Sequence, residues 1–538
     1  MAVDYLADLT ERTVHGLLKQ RAAERPDDLF LHFEAQDFTF GALQEAATRI
    51  AGGLAALGVG RGDKVAIMMG NRPEFLLCWF ALSQLGAIEV PINTAHRGTL
   101  LHYMLDQAEC SLLILEGAFQ DRLADIAADL PKLRTVALLD GTEPGGIPQQ
   151  LLDFRTLESA APLGDALAIG PADPVAVMFT SGTTGPSKGA VLPQNYVLMQ
   201  AAIIAEACRY TPDDCLYNAL PLFHGNAQFL STIPALLSGA RMVLARRFSA
   251  SAFWDEVRAH GCTAFNYIGG ILPILWKAPP SPDDANNSLR LMMGAGAPKD
   301  LFEAFEQRFG VRLVEGYGMS EIGIPLNNSI EHRRPGCCGQ PLPQYEVRLV
   351  DDDGADVPDD TPGELLIRPK TMNSMMLEYY RMPEKTVEAW RDLWFHTGDY
   401  LKRDADGYYY FVDRKKDALR RRGENISSYE VERGVNAHPA VLESAAVAVA
   451  SELGEDEVMI CLTLRPGETL EPIALMRHCL RQMARFMVPR YVRILASLPK
   501  TPTERVQKYA LRAEGVTADT YDREADPAWH ALLKDAAA

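Results

Sequence analysis

A large α/β domain of mostly parallel sheets with a small β subdomain, followed by a smaller α+β domain, is the fold the sequence predicts, on three observations. Between residues 13 and 115, short apolar runs alternate with stretches of helical spacing. A loop of glycines, hydroxyl residues and one lysine, residues 180–189, follows directly on the apolar run 175–178. From residue 339 to 369 the rhythm changes to short strands with Gly, Pro and Asp turns, and beyond residue 417 a compact helix and strand pattern begins with its own apolar set.

Taken in order, residues 13–25 have helical spacing and stop at Pro26, which cannot continue a helix, and residues 29–33 read as a strand. Residues 40–57 are amphipathic, and the turn Gly58-Val59-Gly60-Arg61-Gly62-Asp63 leads into a strand over 64–69. Residues 71–86 and 99–107 read as helices, 87–90 and 111–115 as strands. Strands separated by helices pair in parallel, which puts ligand-binding loops at the strand C-termini. Residues 140–174, rich in Gly, Pro and Ala, read as loops, and 195–208 as a helix. Residues 218–228 read as a strand that breaks at the Pro/Gly-flanked His224, and 289–294 and 311–313 as further strands. In the last part, 428–438 is a helix, 440–449 and 458–464 are strands, and 471–487 is a helix ended by Pro489. No period of 20 to 50 residues is present, which excludes a solenoid.

The chain has 538 residues, with 53 Lys and Arg against 71 Asp and Glu, a net charge of −18 that disfavours nonspecific nucleic-acid binding. Its nine cysteines are odd in number, dispersed, and form no CxxC pair, which fits reduced thiols better than a disulfide framework or a zinc site. The first 28 residues carry Asp4, Asp8, Glu11 and Glu24 and lack the layout of a signal peptide. No uninterrupted 18-residue apolar span occurs, so a soluble, cytoplasmic protein with no transmembrane segment is expected.

The loop Thr180-Ser181-Gly182-Thr183-Thr184-Gly185-Pro186-Ser187-Lys188-Gly189 has the composition of a phosphate cradle. Glycines let backbone N–H groups approach an oxyanion, hydroxyls donate further hydrogen bonds, and Lys188 supplies a compact charge. It is not a Walker loop, because Lys188 lies between Ser187 and Gly189 instead of between Gly and Ser/Thr. Small residues Gly294, Ala295, Gly296, Ala297 and Pro298 end a strand and let a flat ring lie on the backbone. In Gly316-Tyr317-Gly318-Met319-Ser320-Glu321, Tyr317 offers a ring face to a purine, Ser320 a donor to a phosphate, and Glu321 an oxygen ligand for Mg²⁺. Asp399, in Trp394-Phe395-His396-Thr397-Gly398-Asp399, is a carboxylate suited to accepting from both hydroxyls of a ribose. The charged stretch from Phe411 through Arg414 to Asn425 reads as the main domain boundary.

These motifs together resemble the adenylate-forming superfamily of acyl-CoA synthetases, adenylation domains and beetle luciferases. TSGTTGPSKG, PLFHGNAQ, GYGMSE, WFHTGD and DRKKDALRRRGENISSYEVE stand in the family's order over nearly the whole chain. Within it, the run from Asn71 to Phe80, then Gly86 to Asn93, and Gly423 to Ser428 are most similar to the crotonobetaine/carnitine-CoA ligase-like acyl-CoA ligases. The resemblance implies an ATP-dependent acid–CoA ligase: a carboxylate attacks the α-phosphorus of MgATP to give an acyl-adenylate and pyrophosphate, and CoA then displaces AMP.

By motif, residues 180–188 would cradle the β- and γ-phosphates, with Thr183, Thr184 and Glu321 near the phosphates and Mg²⁺. Gly294 to Pro298 with Gly316 and Tyr317 would hold adenine, Ser320 the α-phosphate, and Asp399 and Arg414 the ribose. His224 would sit beside the acyl carboxylate, Gln228 and Met319 along the acid, and Gly423 and Glu424 at the CoA side. Residues 267–272, 294–297 and 319–325 would line the acid pocket. The expected division is residues 1–413 for ATP and the acid, a hinge at 414–416 centred on Lys416, and a mobile domain over 417–538. The implied partners are a small carboxylic acid, ATP and CoA, with room left for a homodimer.

Three positions depart from the family pattern. Ser320 replaces Thr and keeps the hydroxyl. Gln228 stands where long-chain ligases carry a gating Trp, which points to a shorter or more polar acid. Arg505 stands where the family has the lysine that bridges acyl carboxylate and adenylate, so Arg505, Lys508 or Lys500 would serve, or adenylation would be slow. The competing expectations are an adenylate- or CoA-binding protein of weakened catalysis, or adenylation with an acceptor other than CoA.

Overall fold

The computed structural model describes residues 5–141, 145–164, 167–180, 186–268, 271–297, 299–351, 353–414, 419–421, 424–426, 428–451, 456–499, 506 and 508–535. Contacts divide the chain into two compact units: residues 1–94, 105–179 and 189–413 form one, and residues 95–104, 180–188 and 414–538 the other. Among the described residues no helix is long and apolar enough to cross a membrane. All nine cysteines are free thiols.

The first unit contains two large sheets. One has eight strands, running from Glu378–Tyr379 through Lys188–Pro193, Pro174–Thr180, Ile88–Pro91, Lys64–Met68, Leu112–Glu116 and Thr135–Leu139 to Gln150–Asp153. The pairings from Pro174–Thr180 to Gln150–Asp153 are all parallel. The central strands Lys64–Met68 and Leu112–Glu116 read as apolar runs because they are buried along nearly their whole length. The helix Pro73–Leu85 shows the reason at one element: Pro73 opens it, Glu74 sits in its first turn, and Gly86 closes it in the left-handed region at φ 64°. Nearly every residue of that helix is buried, so it is apolar all round.

The other large sheet has nine strands, with Arg312–Met319, Leu291–Gly294, Ala264–Asn266, Cys215–Asn218, Arg241–Leu244 and Leu29–Phe33 as its parallel middle. Antiparallel strands complete its edges, among them Gly323–Asn327 against Arg312–Met319. Asn71 joins the two sheets. Its amide donates to the carbonyls of Leu220 and Ala245, both at 2.9 Å, and its oxygen accepts the Leu222 N–H at 2.8 Å. This fixes the segment that leads into His224. A third, smaller sheet of Tyr345–Val350, Gly363–Pro369, Trp394–Arg403 and neighbouring strands is the expected β subdomain, and one apolar core runs through all three.

Four local readings change. Residues 188–193 form a strand before the helix Gln194–Cys208, and a strand Gln150–Asp153 with a short helix Arg155–Glu158 lies inside the stretch read as loops. Gln150–Asp153 hides in the sequence as a short edge strand with little alternation, and Lys188–Pro193 because its apolar run leads straight into the helix that follows. The strand placed over 218–228 ends at Asn218, and Gly225–Ala227 followed by a π-helical turn Gln228–Thr232 takes the rest. The helix expected over 471–487 is Pro472–Gln482, since Met483 turns extended and is buried. In the second unit, the antiparallel pair Val441–Ala450 and Asp456–Leu464, with Tyr491–Ile494 parallel to the latter, is backed by the helix Ser428–Asn436.

Candidate active site

Two adjacent strands build the first wall. Leu291–Gly294 runs parallel to Arg312–Met319, with Gly294 opposite Glu315. A Cβ at Gly294 would lie 2.4 Å from the Tyr267 carbonyl oxygen, so the strand end is bare backbone for a steric reason. Gly296 holds φ 79°, and Gly294, Ala295, Gly296 and Ala297 form a continuous strip of small residues. The glycines around Tyr317 have a different cause. A Cβ at Gly316 would meet Asn327 Oδ1 at 2.5 Å and one at Gly318 the Gly323 carbonyl at 2.2 Å, so they permit the hairpin that carries the tyrosine.

Tyr317 is buried, and its hydroxyl donates to Asp399 Oδ2 at 2.7 Å. Burial and the neighbouring carboxylate hold the phenol well above its ordinary pKa, so it stays a neutral donor. Asp399 is itself buried on the strand Trp394–Arg403, just after Gly398 at φ 72°. Its N–H donates to Thr397 Oγ1 at 3.1 Å, and the Thr397 hydroxyl donates to the Leu365 carbonyl at 2.8 Å. The structure therefore joins two residues 82 apart in sequence, Tyr317 and Asp399, at one point.

Glu321 follows in the hairpin turn and is 3% exposed. The Tyr379 hydroxyl donates to its Oε1 at 2.9 Å, and the Met376 N–H to its carbonyl at 2.8 Å. Tyr379 is carried by the edge strand paired with Lys188–Pro193. Sequence reasoning missed it; the only signal was a Tyr379-Tyr380 pair after a methionine-rich run. Met319 and Ser320 are half-buried at the same turn. No cluster of three or more His, Cys, Asp or Glu able to hold a metal occurs among the described residues. One carboxylate is nevertheless what Mg²⁺ needs when phosphates and water supply its other oxygens.

His224 is exposed, precedes the helix Gly225–Ala227, and its ring lies edge-on to Phe223 at 4.8 Å. Gln228 is fully buried: its Nε2 donates to the Leu222 carbonyl at 2.7 Å and to Glu89 Oε2 at 3.4 Å. Complete burial pushes the Glu89 carboxyl far up, toward its neutral form. Nearby, Asn266 Nδ2 donates to Asn226 Oδ1 at 3.2 Å and to the Leu230 carbonyl at 2.6 Å.

Glu315 was not singled out from sequence. It is buried one residue before Gly316, and its Oε1 accepts the Ala297 N–H at 2.7 Å. Burial raises its carboxyl to about 7, opposed by the N–H groups of Ala297, Gly296 and Gly336.

Within the second unit, the Thr180 hydroxyl donates to the Lys188 carbonyl at 3.4 Å, and the Ser187 hydroxyl to the Glu430 carboxyl, which burial holds up at about 8. Glu424 pairs with Arg421 in the ribbon Leu419–Arg421 and Glu424–Ile426. Lys508 Nζ binds Ser428 Oγ at 2.8 Å and Glu432 Oε1 at 2.6 Å. Arg414 ends the strand Tyr409–Arg414. Ser181, Gly182, Thr183, Thr184, Gly185, Pro298, Lys416, Gly423 and Arg505 lie outside the described residues.

Residues 18–380 match the AMP-binding enzyme family, and residues 430–505 match the AMP-binding enzyme C-terminal domain. A crotonobetaine/carnitine–CoA ligase of Salmonella paratyphi B is 32% identical over 482 residues, which is 89% of this chain and 93% of that protein. Among solved structures, an o-succinylbenzoate CoA synthetase double mutant of Bacillus subtilis bound to a product analogue superposes with a TM-score of 0.80 at 25% identity, covering 92% of this chain and 98% of that one. An anthranilate CoA ligase in complex with anthranoyl-AMP superposes with a TM-score of 0.70 at 27% identity, covering 93% and 97%.

Proposed function

Because the chain belongs to the AMP-binding enzyme family, we propose that the strip Gly294 to Ala297 and the Tyr317–Asp399 pair hold the adenosine of ATP while a carboxylic acid is activated beside His224. The protein is an AMP-forming acid–CoA ligase that works through an acyl-adenylate. An oxygen of the acid forms a bond to the α-phosphorus as the bond to the β-phosphate oxygen breaks and pyrophosphate leaves. The CoA sulfur, its proton lost, then bonds to the acyl carbon as the acyl–phosphate C–O bond breaks and AMP leaves.

The observation that carries the nucleoside assignment is the Tyr317 hydrogen bond to Asp399, which aims a buried carboxylate next to the flat strip. Tyr317 donates to Oδ2 as a neutral phenol, so it orients the Asp399 carboxyl for the two hydroxyls of a ribose. Catalysis of nucleotidyl transfer is mostly positioning and neutralisation of oxygen charge, and residue types at these positions supply both. Magnesium would reach Glu321 with the phosphates and draw charge off the leaving pyrophosphate. The loop of residues 180–188 would hold the β- and γ-phosphates, Ser320 the α-phosphate and Arg414 the ribose. A turn of the C-terminal domain about Lys416, with Gly423 and Glu424 on the CoA side, would separate the two half-reactions.

Gln228 and Glu89 place polar groups where a long alkyl chain would need apolar ones, which supports a short or polar acid. The test is AMP release from ATP and CoA across betaines, short- and medium-chain fatty acids and aryl acids. Highest kcat/KM with a short or polar acid is expected, and a dodecanoate or longer optimum would refute the size reading. AMP release that does not depend on CoA would refute the thioester step.

Tyr379 is expected to matter through Glu321. Tyr379→Phe removes one donor to a carboxylate, an interaction of about 1–1.5 kcal/mol, so the Mg²⁺ concentration for half-maximal activity should rise roughly fivefold to tenfold. An unchanged Mg²⁺ titration would separate Tyr379 from the metal.

A further inference from the structure

Behind the strip of residues 294–297 sits a carboxylate that none of the substrate-facing roles uses. Glu315 is 5% exposed and lies in register with Gly294 across the parallel pair. Two successive backbone N–H groups, those of Gly296 and Ala297, turn toward its side chain, with Ala297 at 2.7 Å from Oε1. The left-handed φ of 79° at Gly296 is what turns consecutive N–H groups to one side, the arrangement by which backbone binds an anion. Here the anion is internal. The Gly336 N–H faces the same carboxyl.

The main chain of Glu315 is tied down as well. Its carbonyl accepts the Asn328 N–H at 3.0 Å and Asn328 Nδ2 at 2.8 Å, and the same Nδ2 reaches the Cys337 carbonyl at 3.2 Å. One residue thus connects the strip of residues 294–297, the loop of residues 328–337, and the strand that carries Tyr317. A carboxylate is costly to bury, and a segment of N–H groups converging on it offsets that cost only while the strip keeps its shape.

We propose that Glu315 is the positioning residue of the adenine wall: its carboxyl holds the Gly296 and Ala297 backbone in the shape that receives the base, without itself touching the nucleotide. The assignment rests on the nucleotide site proposed above. It separates Glu315 from a general packing role, because the strip of residues 294–297 faces the nucleotide and the acid, whereas CoA is assigned to the side of Gly423 and Glu424.

The test is AMP affinity by titration calorimetry, with KM for ATP, acid and CoA, in the full-length protein. Glu315→Ala should weaken AMP binding and raise KM for ATP about tenfold or more, with KM for CoA within about threefold of wild type. Glu315→Gln keeps an acceptor oxygen for Ala297 and should restore AMP affinity to within about threefold. Unchanged AMP affinity in the Ala variant overturns the assignment, as does a KM for CoA that rises together with that for ATP or a Gln variant as weak as Ala. If the Ala variant does not fold, Glu315→Asp keeps the charge but draws the oxygen back by one methylene; weakened AMP binding supports the assignment and wild-type binding overturns it. Wild-type protein that fails to bind AMP at all overturns the nucleotide site and the assignment with it, whereas wild-type binding unaffected by the variants overturns the assignment alone.

Discussion

Replacing Asp399 with alanine is expected to raise KM for ATP by about 10²–10⁴-fold. Two hydroxyl donors to one carboxylate are worth roughly 1.5–3 kcal/mol each at a site closed to water, and every 1.4 kcal/mol is a factor of ten. Asp399 is 7% exposed, so water cannot take its place cheaply. The substitution also leaves the Tyr317 hydroxyl, buried with it, without its 2.7 Å acceptor. The double change Tyr317→Phe with Asp399→Ala removes that orphan and separates the ribose contribution from the cost of the unpaired phenol. Steady-state kinetics with ATP varied is the measurement, and an ATP KM within threefold of wild type in both variants would remove Asp399 from the nucleotide site.

Arg505→Ala should lower acid-dependent ATP–pyrophosphate exchange about 10²–10³-fold, the usual effect of withdrawing one charged group from developing oxygen charge. Thioester formation from supplied acyl-adenylate should change little. Arg505 is favoured over Lys508 because the Lys508 ammonium is already committed to Glu432 and Ser428 inside its own unit. Arg505→Lys should keep most of the exchange, since a point charge on a flexible stem reaches a tight site more easily than a planar fork. Exchange that survives Arg505→Ala sinks the role, and loss on Lys508→Ala at normal stability would move it to Lys508.

Much of the fold was legible in the order of residues. Strands such as Lys64–Met68 and Leu112–Glu116 are unbroken apolar runs, and the helix Pro73–Leu85 announces both ends with Pro73 and Gly86. What failed were pieces whose state depends on neighbours. Lys188–Pro193 is a strand held between Pro174–Thr180 and Glu378–Tyr379, and the second of these comes from far along the chain. Residues 225–232 are helical although bracketed by glycine and preceded by proline, because the tether from Asn71 and the Gln228 bond to Leu222 set the chain's direction there.

The candidate site divides the same way. Sequence by itself determined the chemistry on offer: hydroxyls, glycines and a lysine in one loop, a carboxylate after Gly398, a carboxylate after Ser320, and an arginine where a lysine is expected. Those are covalent facts, read from residue type and spacing. Only the tertiary structure decided which groups meet: Tyr317 on Asp399, Tyr379 on Glu321, and Glu315 beneath Ala297. Each of these is a hydrogen bond between strands or turns distant in sequence, and its strength comes from shared burial, a property that residue spacing alone does not carry.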